Sequence, residues 1–268
     1  MSIEITSLLG PVKEIAAEAG TKILAVYATA FVVEQKYDTS PLTAADLASH
    51  EAIVAGLRKL TPAIPILSEE ASSIPFEERA AWDCFWLVDP LDGTKEFIKH
   101  NGEFTVNIAL IQGHEPVLGV VQIPVSGLCY YAARGIGAFC QEPSKAARRL
   151  SVRPLGKEAI RVVGSRSHGG ESLQRFVAGL KEHTLVTIGS SLKFCLVAEG
   201  QADIYPRLGP TWEWDTAAAQ CIVEEAGGQV IDVRGQRLTY NKPSLLNPHF
   251  LVIGDASHEW LSYLPSIS

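Results

Sequence analysis

Two carboxylates stand three residues apart in the segment Asp89-Pro90-Leu91-Asp92-Gly93-Thr94, directly after the apolar run 85–88. A short apolar run that ends in Pro and Gly is typical of a strand followed by a tight turn. A turn that offers two carboxylates, a backbone carbonyl and a threonine hydroxyl suits a hard cation such as Mg²⁺. A plain polar turn is the alternative, and the rest of the chain distinguishes the two.

Other carboxylates stand at the ends of further apolar elements. Glu69 and Glu70 follow the strand-like segment 65–68, and Asp46 and Asp215 each lie at the start of a predicted helix. Taken singly, the aspartates can be helix caps and the glutamates a solvated pair. Together they favour one acidic cluster, because the ends of apolar elements converge at the rim of a sheet. Two or more Mg²⁺ ions would neutralise such a cluster and organise a phosphoryl group with an attacking water.

Hydrophobic periodicity indicates the elements that must position these acids. It predicts a long amphipathic helix from Ile5 to about Val33 and a second helix after Ser40-Pro41, with Thr43 and Asp46 in capping-box spacing. Strand-like runs separated by Gly, Pro and Asn follow at 64–67, 85–88, 104–112, 117–124 and 127–133. Further strands are predicted at 161–164, 184–189, 229–233 and 250–254, and further helices at 171–180, 192–199, 216–226 and from Ser257.

This order of elements predicts an α/β fold of alternating layers. An antiparallel sheet dominates the first part of the chain, and strands alternate with helices in the second. The basic polar stretch 142–149 is the expected connection between them. We therefore divide the chain into an N-terminal half, 1–149, and a C-terminal half, 150–268.

Composition limits the classes of function. The net charge of −7 argues against general binding to nucleic acid, which requires a basic surface. No apolar run approaches the roughly 20 residues that span a bilayer, and the N-terminus has no secretory signal pattern, while peripheral attachment to a membrane stays open. The five cysteines are odd in number and form no C-x-x-C pair, which fits reduced thiols and a cytoplasmic location.

The acidic motifs resemble those of a known superfamily. Asp89–Thr94 matches the D-P-[IL]-D-G-[ST] motif of the lithium-sensitive, magnesium-dependent phosphatases that include inositol monophosphatase and fructose-1,6-bisphosphatase, and 214–217 matches their W-D-x-A motif. The segments 92–97 and 189–195 resemble the bacterial 3′(2′),5′-bisphosphate nucleotidases of sulfate assimilation. The resemblance extends from about Ser40 to about Asn247, and it implies a layered α-β-α-β-α sandwich with the site between the halves.

The resemblance also implies a role for individual positions. Its Mg²⁺ ligands, two or three ions per site, correspond to Glu69, Asp89, the carbonyl of Leu91, Asp92 and Asp215. Its water-activating pair corresponds to Asp46 and Thr94. Its substrate-binding positions correspond to Glu69, Leu91, Asp92, Gly93, Thr94 and Asp215, with His168, Ser190, Lys193 and Arg207 on the side of the second phosphate and ribose.

The expected activity is hydrolysis of the 3′-phosphate of adenosine 3′,5′-bisphosphate (PAP) to AMP and phosphate. The sulfated analogue PAPS is an expected second substrate, and lithium an expected inhibitor. The rivals are a phosphatase of inositol phosphates or sugar bisphosphates, and a non-catalytic regulator that binds Mg²⁺ or a nucleotide.

Three of the substrate assignments have structural alternatives. Lys193 could be a surface lysine, His168 an ordinary loop histidine, and Arg207 the partner of Asp203. The tryptophan and the acid at positions 212 and 213, directly before the second motif, depart from the expected pattern and leave the nucleobase side of the pocket undefined.

Overall fold

The computed structural model describes residues 4–30, 32–35, 41–166 and 170–264. Its helices are α1 (Ile5–Tyr27), α2 (Ala44–Leu60), α3 (Phe76–Arg79), α4 (Thr94–Ile98), α5 (Glu171–Ala178), α6 (Leu192–Ala198) and α7 (Glu213–Glu225), with 3₁₀ turns at Glu69–Ala71 and Trp260–Tyr263. Its strands are β1 (Val33–Gln35), β2 (Pro41–Thr43), β3 (Ile66–Ser68), β4 (Cys84–Asp92), β5 (Thr105–Gln112), β6 (Glu115–Gln122), β7 (Cys129–Ala133), β8 (Gly137–Gln141), β9 (Arg148–Arg149), β10 (Ile160–Ser165), β11 (His183–Ile188), β12 (Ile204–Arg207), β13 (Gln229–Asp232) and β14 (Phe250–Ile253).

Two large sheets and three helical layers alternate through the molecule. One sheet has the order β3-β4-β5-β6-β7-β8-β9, and its strands are antiparallel except for the parallel pair β3-β4. The other has the order β11-β10-β12-β14-β13, with parallel and antiparallel pairs. Helices α1 and α2 cover the outer face of the first sheet, α6 and α7 lie between the sheets, and α5 covers the outer face of the second.

The alternation of side chains along the strands builds these layers. In β4, Trp86 and Val88 join the core under α1 and α2, whereas Leu87 points into the central core. In β10, Val162 joins the outer core under α5, whereas Val163 points into the central core. Since both faces of each sheet are covered, the strands are apolar almost throughout. The predicted α-β-α-β-α layering is confirmed.

The first helix is shorter than the hydrophobic pattern predicts. It ends at Tyr27 rather than near Val33, and its last buried residue is Ile23. Among the described residues after Tyr27, 28–30, 32 and 33 are exposed, so burial does not reward further helical turns there, and the β-branched pair at Val32 and Val33 favours the extended chain that forms β1. The predicted connection at 142–149 is also partly wrong, because its last two residues form β9 and pair with β8.

Close packing of α7 against β6 fixes the position of the central helix. A Cβ atom added to Gly119 would lie 2.2 Å from the carbonyl oxygen of Ala218. The neighbour is a backbone atom and cannot rotate away. The glycine at this position is therefore required by the distance between helix and sheet.

We expect Gly119→Ala to lower the free energy of unfolding by about 3 kcal/mol, because the methyl group must push α7 away from the sheet. Urea unfolding measures this. Gly10→Ala is the matched control: a Cβ added to this exposed residue of α1 meets nothing within 4 Å, and the helical preference of alanine should stabilise the protein by about 0.5–1 kcal/mol. An unchanged stability in Gly119→Ala would contradict the packing argument.

Within the described ranges, the helices are too short or too polar for any of them to cross a membrane. The division into residues 1–149 and 150–268 stays a prediction. The helix α7, from the second half, packs on strands β4 to β8 of the first.

Candidate active site

The turn Asp89–Thr94 begins inside a strand rather than after one. Strand β4 continues to Asp92, and its pairing with β5 shifts register between Asp89 and Asp92. The Asp89 Oδ1 atom accepts a hydrogen bond of 3.0 Å from the amide of Leu91. Gly93 then takes a left-handed conformation (φ 94°), from which α4 begins at Thr94. The irregular strand end thereby turns both carboxylates towards the same side of the sheet.

Asp46 and Asp215 occupy the same position in two different helices. Each is the third residue of its helix, and its Oδ2 atom accepts a 2.8 Å hydrogen bond from the amide three residues earlier, that of Thr43 or Trp212. The capping-box interpretation of Asp46 is therefore confirmed. The interpretation of Asp215 as an N-cap is wrong, because Trp212 is the N-cap and Asp215 supports the helix start as its third residue. Capping uses one oxygen of each carboxylate, so the other can serve the site.

Three of the acids converge closely enough to share a cation. Oxygen atoms of Asp89, Asp92 and Asp215 lie within 4.8 Å of one another. Burial, with the neighbouring carboxylates of Glu69, Asp92 and Asp215, raises the pKa of Asp89 well above its usual value. Burial, with Asp92 next, raises the pKa of Asp215 to about 8. Three hard oxygen donors that oppose one another's ionisation fit a divalent cation such as Mg²⁺.

A hydroxyl and a carboxylate stand beside this cluster. Thr94 Oγ1 donates to Asp46 Oδ1 over 3.4 Å and lies 3.5 Å from the carbonyl oxygen of Leu91. Asp46 is almost fully buried, and its Oδ2 atom also accepts a 2.7 Å bond from the Thr43 hydroxyl. This places a buried proton acceptor next to a hydroxyl that faces the acids.

The opposite end of the site is basic. Lys193 is 6% exposed, and its ammonium donates to the carbonyl oxygen of Ser190. Burial, assisted by the nearby Arg207 and opposed by Asp92, lowers the pKa of Lys193 to about 8. Arg207 is 8% exposed, and its Nη2 atom donates to the carbonyl oxygen of Pro210 over 2.7 Å. A surface role for Lys193 is therefore wrong.

Two buried polar atoms at this basic end are unsatisfied. Ser190 Oγ and Arg207 Nε have no hydrogen-bond partner among the residues that the structure describes. Ser190 also has a left-handed backbone (φ 46°), which is uncommon for a residue with a side chain. An unpaired buried donor costs about 1–3 kcal/mol, so such atoms are expected where a ligand supplies the partner.

A cavity of about 280 Å³ joins the two ends. Its walls include Asp92, Thr94 and Asp215 from the acidic end and Lys193 and Arg207 from the basic end. A ligand in this cavity therefore contacts carboxylates on one side and cations on the other.

A polar network between the sheets holds Asp92, and the sequence prediction missed it. Ser191 Oγ lies 2.7 Å from Asp92 Oδ2 and 3.0 Å from the carbonyl oxygen of Asp215, and it accepts a 2.8 Å bond from Asn107 Nδ2. Thr105 Oγ1 donates to Asn107 Oδ1 over 3.0 Å. The available signal was an asparagine in the middle of the apolar strand 105–112, directly opposite Asp89 in the sheet.

The structure brings together all but one of the predicted site residues. Asp46, Asp89, Leu91, Asp92, Gly93, Thr94, Ser190, Lys193, Arg207 and Asp215 lie around one site, and Glu69 contributes to the environment of Asp89. His168 lies outside the described residues. The alternative pairing of Arg207 with Asp203 is wrong, because Asp203 accepts hydrogen bonds from Arg153 and from the amide of Arg161.

The two unexpected residues before Asp215 have different environments. Glu213 is fully buried and accepts hydrogen bonds from the amides of Asn241 and Lys242 and from the Lys242 ammonium, at 2.6–3.0 Å. It therefore anchors the loop after β13. Trp212, in contrast, is 39% exposed and lines the cavity.

Comparison with known proteins gives relatives along nearly the whole chain. The profile of the inositol monophosphatase family matches residues 5–262. The 3′(2′),5′-bisphosphate nucleotidase CysQ of Salmonella typhimurium is 51% identical over 248 residues, which cover 91% of this chain and 99% of the relative. The CysQ of Haemophilus influenzae is 37% identical over 257 residues, which cover 95% of this chain and 96% of the relative.

Solved structures have the same layered fold. CysQ from Bacteroides thetaiotaomicron, a bacterial member of the inositol monophosphatase family, superposes with a TM-score of 0.83 at 40% identity, covering 96% of this chain and all of that one. An inositol monophosphatase of Thermotoga maritima gives a TM-score of 0.76 at 26% identity over 94% of each chain. By the family profile and by these relatives, the chain belongs to the inositol monophosphatase family.

Proposed function

We propose that the chain is a magnesium-dependent 3′(2′),5′-bisphosphate nucleotidase, a phosphatase of sulfur metabolism that hydrolyses the 3′-phosphate of PAP to AMP and phosphate. Relatives named for this activity are 50–51% identical to the chain over nearly their whole length. PAPS is the proposed second substrate, and two or three ions the proposed complement of the acidic end.

The two-ended cavity is the observation that carries this proposal. A phosphomonoester needs only the acidic end, where cations neutralise the phosphoryl group. The buried Ser190 Oγ and Arg207 Nε, with the Lys193 ammonium, offer hydrogen bonds and positive charge for a second anionic group in the same cavity. A substrate with two phosphates on one sugar matches both ends.

The residues of the acidic end divide into two groups. Carboxylates of Glu69, Asp89, Asp92 and Asp215, with the carbonyl of Leu91, would hold the Mg²⁺ ions, whose charge would stabilise the phosphoryl oxygens and lower the pKa of water. Thr94 and Asp46 orient the attacking water, with its proton passing to the Thr94 hydroxyl as that hydroxyl gives its own to Asp46 Oδ1. The water oxygen bonds to phosphorus, and the bond from phosphorus to O3′ breaks with its electron pair going to O3′. The departing O3′ takes a proton from solvent water and leaves as the 3′-hydroxyl of AMP.

Side-by-side kinetics test the proposed substrate. We expect kcat/KM for PAP to exceed that for inositol monophosphate and for fructose 1,6-bisphosphate by about 10²-fold or more, because neither competitor places a second anion and a base as PAP does. A higher kcat/KM for either competitor would assign the chain to another branch of the family. Absence of phosphate release from all three, with Mg²⁺ present, would favour a non-catalytic regulator.

The raised carboxylate pKa values predict how magnesium binding depends on pH. In the metal-free protein Asp215 has a pKa of about 8, so below this pH Mg²⁺ must displace a proton from it. The apparent affinity should therefore weaken by at least about tenfold per pH unit from pH 8 to pH 6, with at least one proton released per binding event, since the raised pKa of Asp89 acts in the same direction. Calorimetry in buffers of different ionisation enthalpy measures both quantities. Glu18→Gln, at an exposed residue of α1, should leave this slope unchanged, and a flat profile in the unmodified protein would contradict the assigned ligands.

A further inference from the structure

One aromatic side chain at the cavity has no part in the chemistry described so far. Trp212 lines the cavity together with Lys193 and Arg207, yet it lies outside the acidic cluster. Large aromatic side chains are costly to leave in water, and this indole is 39% exposed. Its neighbour in the second motif, Trp214, is only 6% exposed.

A second aromatic ring fixes the orientation of the Trp212 indole. Its ring stacks on that of Trp214 with a centroid distance of 5.4 Å and an angle of 15° between the planes. One face of the Trp212 ring is thereby covered, and the residue keeps an exposed surface at the cavity. A ring already fixed in this way loses little conformational freedom when a second ring stacks on it.

The backbone of Trp212 is fixed as well. Its amide donates to Asp215 Oδ2 over 2.8 Å, and its carbonyl oxygen accepts a 2.7 Å bond from Asn247 Nδ2. It also forms an isolated antiparallel bridge with Leu246. The Asp215 contact ties the backbone of Trp212 to the acidic end, so the residue that carries the indole lies within one helical turn of Asp215.

The chemistry of the proposed substrate provides a partner for this ring. When the phosphates on C3′ and C5′ occupy the two ends of the cavity, the base on C1′ leaves the sugar at a third point. An aromatic surface is the natural contact for it, because every nucleobase has a π face and stacking on a tryptophan is worth about 1–3 kcal/mol.

We propose that Trp212 is the stacking platform for the nucleobase, and that it determines specificity for a nucleoside bisphosphate over a sugar bisphosphate. This inference rests on the proposed function and extends it. Trp214 supports the platform from behind, and Trp212 contributes to substrate binding without a role in the bond-breaking step.

The test compares Trp212→Ala with the unmodified enzyme on two substrates, PAP and an abasic ribose 3,5-bisphosphate. We expect KM for PAP to rise about tenfold or more with kcat little changed, and KM for the abasic compound to stay within about twofold. Trp212→Phe should restore most of the affinity for PAP. Ile136→Ala, at an apolar residue of equal exposure in the turn between β7 and β8, should leave both substrates unaffected.

The outcomes separate the two proposals. An equal rise of KM on both substrates, or no rise on PAP, would overturn the role of Trp212 while PAP hydrolysis by the unmodified enzyme keeps the proposed function. An unmodified enzyme that hydrolyses neither compound would remove the proposed function, and the stacking role with it. A Trp212→Ala variant that aggregates while the unmodified protein stays monomeric, with unchanged KM for PAP, would instead give the indole a structural role.

Discussion

Asp89→Asn should lower kcat for PAP by about 10³-fold or more while the protein remains folded. Asp89 is buried and is one of the three acids whose oxygens converge within 4.8 Å, and burial beside the other carboxylates raises its pKa well above the usual value, which favours its protonated form. Asparagine has nearly the shape of that protonated form, and its side-chain oxygen can keep the 3.0 Å hydrogen bond from the Leu91 amide. The substitution removes the negative charge that would balance the charge of a bound cation.

Two measurements separate loss of the cation from loss of the fold. In the absence of metal, the melting temperature of Asp89→Asn should equal or exceed that of the unmodified protein, because one source of repulsion among buried acids is gone. Added Mg²⁺ should raise the melting temperature of the unmodified protein and leave that of the variant unchanged. Asp232→Asn, at the last residue of β13, where the carboxylate accepts hydrogen bonds from the following turn, should retain both activity and the response to Mg²⁺. Normal turnover by Asp89→Asn would refute its assignment as a metal ligand.

Arg207→Ala should have the second largest effect, and on a different kinetic constant. Hydrogen bonds from a charged donor to an anion are worth about 2–3 kcal/mol, which corresponds to a rise in KM for PAP of roughly 30- to 150-fold. Arg207 Nε, buried and unpaired among the described residues, is the donor available for this interaction. Adenosine 3′-monophosphate has no second phosphate, so its KM should change less than about threefold.

The ratio of the two effects makes this test independent of stability. A variant that is partly unfolded loses active enzyme for both substrates alike, and KM reflects only the folded fraction. Arg175→Ala is a suitable control, because this exposed arginine pairs only with Glu171 one helical turn away in α5. Equal rises in KM for the bisphosphate and the monophosphate would exclude Arg207 from the second-phosphate site.

The sequence predicted that the acids of this end converge, because each of them lies within three residues of the start or end of an element. A capping box at Thr43 and Asp46, and Pro and Gly in the turn 89–94, are local signals that hold in the folded chain. Most strands and helices of the second half were predicted to within about two residues for the same reason.

The sequence did not predict the strand that carries Arg207 at the basic end. Arg207 ends β12, a strand that was not predicted, since Pro206 lacks an amide hydrogen and argues against a central strand. The structure accommodates this proline because β12 pairs with β10 only at Ile204, so the proline faces no partner on that side. The hydrogen bonds of Ser191 with Asn107 and Asp92 were likewise beyond prediction, because they join residues 84 and 99 positions apart.

Asp46 and Asp215 each stabilise the first turn of a helix and also face the site. Opening of either first turn is therefore coupled to what the site binds. The amide protons of Thr43 and Trp212 are hydrogen-bonded to the same carboxylates that face the site. Their exchange with deuterated solvent therefore follows the fraying of each helix start, and a ligand that holds the carboxylates slows it. Exchange rates at these two amides would record occupancy of each side of the site separately, without any turnover of substrate.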